Sequence, residues 1–154
     1  MSWKKYVDKQ LVGTRNVRKG AIFGLDGSTW AASKKFKVTS EEVKGLVQGF
    51  ANPSGLHSTG VKLAGQKYTF LRSDGQMIYA KKGGDEGCCV AKTKQSKKYQ
   101  DGVYFNTWSM YYTFTVYLSL FLAIIVGVYT KGILPGQCNS TVGKLQDYLV
   151  SVGY

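Results

Sequence analysis

The chain has 154 residues, 44% of them hydrophobic, which suits one domain of ordinary size with a sizeable core. Its 21 Lys and Arg against 9 Asp and Glu give a net charge of +12, which predicts attraction to polyanions: nucleic acid, anionic lipid head groups or acidic protein surfaces. Three cysteines without a CxxC pair and a single histidine, His57, argue against a disulfide framework and a metal site, and the N-terminal MSWKKYVDKQ has no apolar signal region.

Ser2 stands as a helix N-cap. Trp3, Tyr6, Val7 and Leu11 then recur at helical spacing, predicting a short amphipathic helix to about Val12 that Gly13 ends. Residues 17–24, VRKGAIFG, read as a strand, Asp26-Gly27 as a turn and STWAA as the paired strand. Thr39 and Glu42 form a capping box. The helix it opens places Val43, Leu46, Val47 and Phe50 on one side and stops at Asn52-Pro53; His57 is assigned to the loop that follows. A meander comes next: STGVKLA, the Gly65-Gln66 turn, KYTFLR, the Ser73–Gln76 turn, MIYAKK, the glycine-rich Gly83–Gly87 and CCVAKTK. Pro135-Gly136 precedes a last helix in which Val142, Leu145 and Leu149 keep helical spacing. Short strands bracketed by helices predict an α+β fold with a central antiparallel sheet.

Charge and sporadic motifs add little. The basic residues come as pairs (Lys4-Lys5, Arg18-Lys19, Lys34-Lys35, Lys81-Lys82, Lys97-Lys98), either solvated singly or gathered into one patch, and form no basic tail. Adjacent Cys88 and Cys89 are poor partners for each other, so the thiols, Cys138 included, are expected reduced and intracellular. Asn139-Ser140-Thr141 matches a glycosylation acceptor by chance. No nucleophile has a partner base, Glu41-Glu42 is explained by capping, and neither GLDG nor KKGGDEG is a phosphate-cradling loop, so no catalysis is expected.

The opening SWKKYVDKQLVGT, then GLDGSTWA, LAGQKY, IYAKKG and the closing PGQC…LQDYL resemble the profilin family, in family order, over residues 2–96 and about 125–154. Lys4 departs from the pattern, because a polar or acidic residue usually follows the Trp. The resemblance implies terminal helices packed side by side on one face of the sheet and shorter helices on the other. It also implies a tight hairpin from KTKQS directly into IVGVY. Here about 27 extra residues, roughly Lys97–Ile124, intervene in a single 1–154 domain, within a run that has no charge between Asp101 and Lys131. Three readings stay open for this segment. It is long enough for a membrane span, which needs about 20 apolar residues, but its Tyr and β-branched content favours strand. It could be a hairpin extension. It could also be translated intron sequence, since Ser96-Lys97-Lys98 can be encoded by a string containing a splice donor.

The resemblance further implies two protein-binding sites. Trp3, Tyr6, Trp30 and Tyr148, with Tyr154 as a weaker candidate, would form a groove for proline-rich proteins, with ring faces against prolines and Trp N–H and Tyr O–H on ligand carbonyls. Considered alone, each ring could equally be core packing. Arg72, Lys81, Lys82, Lys92, Asn139 and Lys144 match the surface for monomeric actin, whose acidity basic residues would complement. Phosphatidylinositol bisphosphate is the third implied partner, with Arg72, Lys81, Lys82 and Lys92 as candidates. The expected protein is a monomer, cytoplasmic and cytoskeleton-associated, without cofactor, metal or nucleic-acid partner. The alternative is a membrane-anchored or actin-binding-impaired form of the same module, using the apolar segment.

Overall fold

A computed structural model of the chain describes residues 2–94 and 122–154. An α-helical turn, Trp3–Lys5 (α1), widens into a π-helical segment, Tyr6–Leu11, and tightens into a 3-10 turn, Val12–Thr14. Gly13 does not end this helix. A Cβ there would lie 2.7 Å from the Asp8 carbonyl oxygen, and the reversal comes two residues later at Arg15, which is left-handed with φ 64°. The wide turn lets Val7 and Leu11 both bury completely, Leu11 against the bare Gly20 backbone.

Strands β1 (Lys19–Gly24) and β2 (Thr29–Ala32) form the first hairpin. Helix α2 (Ser40–Ala51) starts at the expected capping box. Glu42 does more there than cap. Its carboxylate accepts from the Thr39 N–H at 2.9 Å, and it reaches the Ala64 and Gly65 N–H groups at 3.1 and 2.8 Å. One side chain thus fastens the helix to the left-handed turn between two strands. His57 lies in a short helix, α3 (Leu56–Thr59), rather than a loop, its ring edge-on to Phe70 at 4.8 Å. Four strands follow in meander, β3 (Val61–Leu63), β4 (Gln66–Ser73), β5 (Met77–Lys82) and β6 (Glu86–Lys92). Then come β7 (Ala123–Tyr129) and α4 (Pro135–Ser151).

The seven strands make one sheet in the order β2-β1-β7-β6-β5-β4-β3, with every pair antiparallel. Strand alternation divides the core in two. Ile22, Cys89, Ala91 and Ile125 face Val7, Leu11, Val142, Leu145 and Leu149 of the terminal helices. Phe23, Cys88, Val90, Ile124 and Val126 face Val43, Leu46, Phe50 and Leu56 of the shorter helices. The central strands β6 and β7 are continuous apolar runs because both of their faces are covered. The α+β architecture is therefore the expected one, terminal helices on one face and short helices on the other. At Gly127 the covering is tight: a Cβ would stand 2.5 Å from Val142 Cγ2 and 3.2 Å from Cys138 Sγ. All three cysteines are buried and free, and burial raises each thiol pKa, that of Cys138 to about 12.

The expected pairing of the strands that flank the apolar segment holds, with Val90 opposite Val126 and Cys88 opposite Val128. The hairpin closes on Thr93, whose N–H donates to the Ala123 carbonyl at 2.9 Å while its Oγ1 accepts from the Ala123 N–H at 2.8 Å. The strand that follows the apolar segment begins at Ala123 rather than at Ile125. Ala123 and Ile124 pair with Gly24 and Phe23 in β1, Ile124 also with Lys92, and both are fully buried. They belong to the sheet because they complete its alternation. Residues 97–121 of the proposed insertion, including Lys97-Lys98, lie outside the described residues. Among the described residues, no helix is long and apolar enough to cross a membrane.

Candidate functional site: an aromatic shelf and a basic face

Rings from both chain ends and from edge strand β2 converge. The Trp3 ring lies 4.6 Å from Trp30, 5.7 Å from Tyr6 and 4.8 Å, edge-on, from Tyr154. Tyr6 continues the row to Tyr148 at 5.8 Å, and Trp30 meets Tyr154 at 6.2 Å. These are tilted and edge-to-face contacts, which suit ring quadrupoles better than a face-to-face sandwich. The terminal helices create the row by lying side by side on β1, β6 and β7. Residue types alone left core packing open for each ring, and exposure separates them. Tyr6 is buried at 9%, Trp3, Trp30 and Tyr154 are half-buried, and Tyr148 is 40% exposed. The outcome is a shelf with an apolar floor and a wet surface. Tyr154, the weaker sequence candidate, is a full member.

Polar contacts fix the shelf's ends. The neighbouring Tyr148 side chain, together with burial, raises the Tyr6 pKa. Lys4, the departure from the family pattern, donates to Asp8 Oδ1 at 2.9 Å and to the Ala32 carbonyl at 3.2 Å, tying the first helix to β2. The Trp30 indole N–H is already committed: it donates to Ser28 Oγ at 3.2 Å.

The predicted basic residues divide. Arg72 of β4 pairs with Tyr79 of β5, and its guanidinium carbon sits 4.4 Å from the centre of the Tyr79 ring. Lys81 shares that face by strand alternation, and Asn139 and Lys144 belong to α4, which packs on the same side. Lys82 and Lys92 alternate to the opposite face, in phase with Ile78 and Ala80 and with Cys88 and Val90. The Lys82 ammonium bonds Gln66 Oε1 and lies 3.9 Å from Glu86. Sequence reasoning passed over Tyr79 and Asp74, which complete the Arg72 cluster. Burial disfavours the Asp74 carboxylate, yet hydrogen bonds from the Met77 and Gln76 N–H groups and the Tyr79 hydroxyl, with the charge of Arg72, hold its pKa below the usual carboxylate range. The period-two pattern of MIYAKK was the available signal, since it separates Tyr79 and Lys81 from Lys82. Gln146, also unforeseen, reaches from α4 to the Lys92 carbonyl at 2.7 Å.

Comparisons with known proteins agree with this geometry. The family model described as Profilin matches residues 1–97 and 116–154. Profilin-1A of Acanthamoeba castellanii is 38% identical over 154 residues, covering all of both chains. The structure of Acanthamoeba castellanii profilin IB superposes with a TM-score of 0.79 at 38% identity, covering 99% of this chain and all of that one. The same fold recurs at 19% identity and a TM-score of 0.67, over the whole of both chains, in mouse profilin IIa, solved in complex with a double repeat from the FH1 domain of mDia1. On its fold, its aromatic shelf and these full-length similarities, the chain belongs to the profilin family.

Proposed function

We propose that this protein regulates actin polymerisation by binding monomeric actin on its basic face while docking proline-rich partners on its aromatic shelf. The observation that carries the proposal is the row of five rings drawn from three separate parts of the chain, of which all but the buried Tyr6 keep part of their surface in solvent. A polyproline II segment suits such a row. It is extended before binding, so it loses little entropy, and its rings lie flat on aromatic faces. Trp3, Tyr6, Trp30, Tyr148 and Tyr154 would be the bed, with the mouse profilin complex as the precedent in a distant relative.

Arg72, Lys81, Asn139 and Lys144, with Tyr79 added, would meet actin, where complementary charge speeds encounter and selects the partner. Lys82 and Lys92 would contribute less, because they face away. Phosphoinositide head groups would compete for Arg72 and Lys81, attracted by the net charge of +12. Residues 1–154 act as one domain in this scheme. The protein works by binding in the cytoplasm, beside the actin cytoskeleton, with no chemical step of its own. A polyproline column should retain it, and Trp3→Ala should lose most of that retention. Increasing concentrations of the protein should delay the polymerisation of a fixed amount of monomeric actin. A protein that passes through the column and leaves polymerisation unchanged would overturn the assignment.

A further inference from the structure

The stretch GLDGSTW, residues 24–30, contains a side-chain relay that ends on the shelf. Asp26 Oδ1 accepts from the Ser28 hydroxyl at 2.6 Å and from the Ser28 N–H at 3.0 Å. The first bond points the hydroxyl hydrogen at the carboxylate, which leaves a lone pair of the same oxygen to accept from the Trp30 indole N–H at 3.2 Å. The backbone supports this arrangement. The Gly24 N–H donates to the Ser28 carbonyl at 2.9 Å, and Gly27 closes the turn with φ 89°. Gly24 itself is the seat of the relay. A Cβ there would stand 2.5 Å from Asp26 Oδ1, 2.8 Å from Ser28 Oγ and 3.1 Å from Trp30 Nε1, so a side chain would displace the Asp26 and Ser28 oxygens and crowd the indole nitrogen.

Trp30 needs such a tether. It sits on edge strand β2, half-buried, and its other ring neighbours, Trp3 and Tyr154, come from the two chain ends. We propose that Asp26 and Ser28 are positioning residues of the shelf: they hold the indole N–H of Trp30 on Ser28 and fix the orientation of its ring, so that Trp30 binds by its ring surface and not by its N–H. This rests on the shelf being the proline-binding site, and the test separates the two claims.

Ser28→Ala removes the acceptor, Asp26→Ala removes the group that orients it, and Ser28→Thr preserves the hydroxyl. Indole N–H resonances in the free protein report the tether without any ligand. In Ser28→Ala and Asp26→Ala the Trp30 signal should move towards the solvated position and exchange faster, the Trp3 signal should stay, and Ser28→Thr should keep the parent spectrum. Titration with a synthetic proline oligomer should then show about threefold to tenfold weaker binding for both alanine variants, the size of one lost neutral hydrogen bond, with Ser28→Thr close to the parent. An unmoved Trp30 resonance, or a moved one with unchanged affinity, overturns the positioning role. A parent protein that does not bind the oligomer overturns the shelf's assignment, while the resonances still decide whether the tether exists.

Discussion

Replacing Gly127 with alanine tests the physical link between sheet packing and the shelf. The added Cβ would lie 2.5 Å from Val142 Cγ2 and 3.2 Å from Cys138 Sγ, both on α4. Carbon atoms prefer about 3.5–4.0 Å, so α4 must lift from β7 by about 1 Å. Neither neighbour can swing aside, because Val142 and Cys138 are fully buried. Overpacking of this kind costs about 1–3 kcal/mol, which in a chain of this size lowers the melting temperature by about 2–12 °C. The same displacement separates Tyr148 from Tyr6, now 5.8 Å apart. Displacing Tyr148 from the row should weaken proline-oligomer binding by about twofold to tenfold, the size of one aromatic contact to the ligand, about 0.5–1.5 kcal/mol. Thermal unfolding by circular dichroism and a tryptophan-fluorescence titration measure both effects. Val142→Ala alone should also destabilise, by about 2 kcal/mol, through a cavity. The double variant should be less destabilised than the sum, since removing Cγ2 makes room for the new methyl. Gly143→Ala, on the same helix with no neighbour within 4 Å, should be neutral or stabilising by up to about 1 kcal/mol. Additive effects of the two core substitutions, or an unchanged Gly127→Ala protein, would refute the close-contact account.

Glu42→Ala should cost about 2–3 kcal/mol in urea unfolding, more than an ordinary lost cap, because its carboxylate also serves the Ala64 and Gly65 N–H groups. Burial raises the Tyr68 pKa to about 12. Its neutral form is favoured in the native state, so its contribution is intact below about pH 10 and is lost as pH climbs towards 12; Tyr68→Phe should flatten that alkaline decline in stability. Excising residues 97–124 should give a lower melting temperature than excising 97–121, because the longer cut removes the buried Ala123 and Ile124 from β7. Equal melting temperatures would refute a contribution of those two residues to the stability of β7.

Much of this architecture was legible because local chemistry dictated it. The capping box at Thr39 and Glu42, the Asp26-Gly27 turn and the alternating strands are short-range devices, and they occur where the residues say. Two misreadings have local causes. Gly13 reads as a terminator, but it lies in the 3-10 turn that follows the π-helical segment, where its missing Cβ avoids the Asp8 carbonyl, a variant that helical spacing does not distinguish. An apolar run offers no contrast along its length, so only pairing with Phe23 and Lys92 marks Ile124 as part of β7.

By itself the sequence determined the elements, their order and the family, since periodicity, caps and turn residues act over a few positions. Whether Trp3, Tyr6, Trp30, Tyr148 and Tyr154 were core or surface was a tertiary decision. They lie far apart along the chain, and only the packing of both terminal helices on one face of the sheet brings them within ring contact while leaving one side wet. The division of the basic residues was decided in the same way. Lys81 and Lys82 are neighbours in sequence, but a pleated strand sends adjacent side chains to opposite faces, so the partner that meets one does not meet the other.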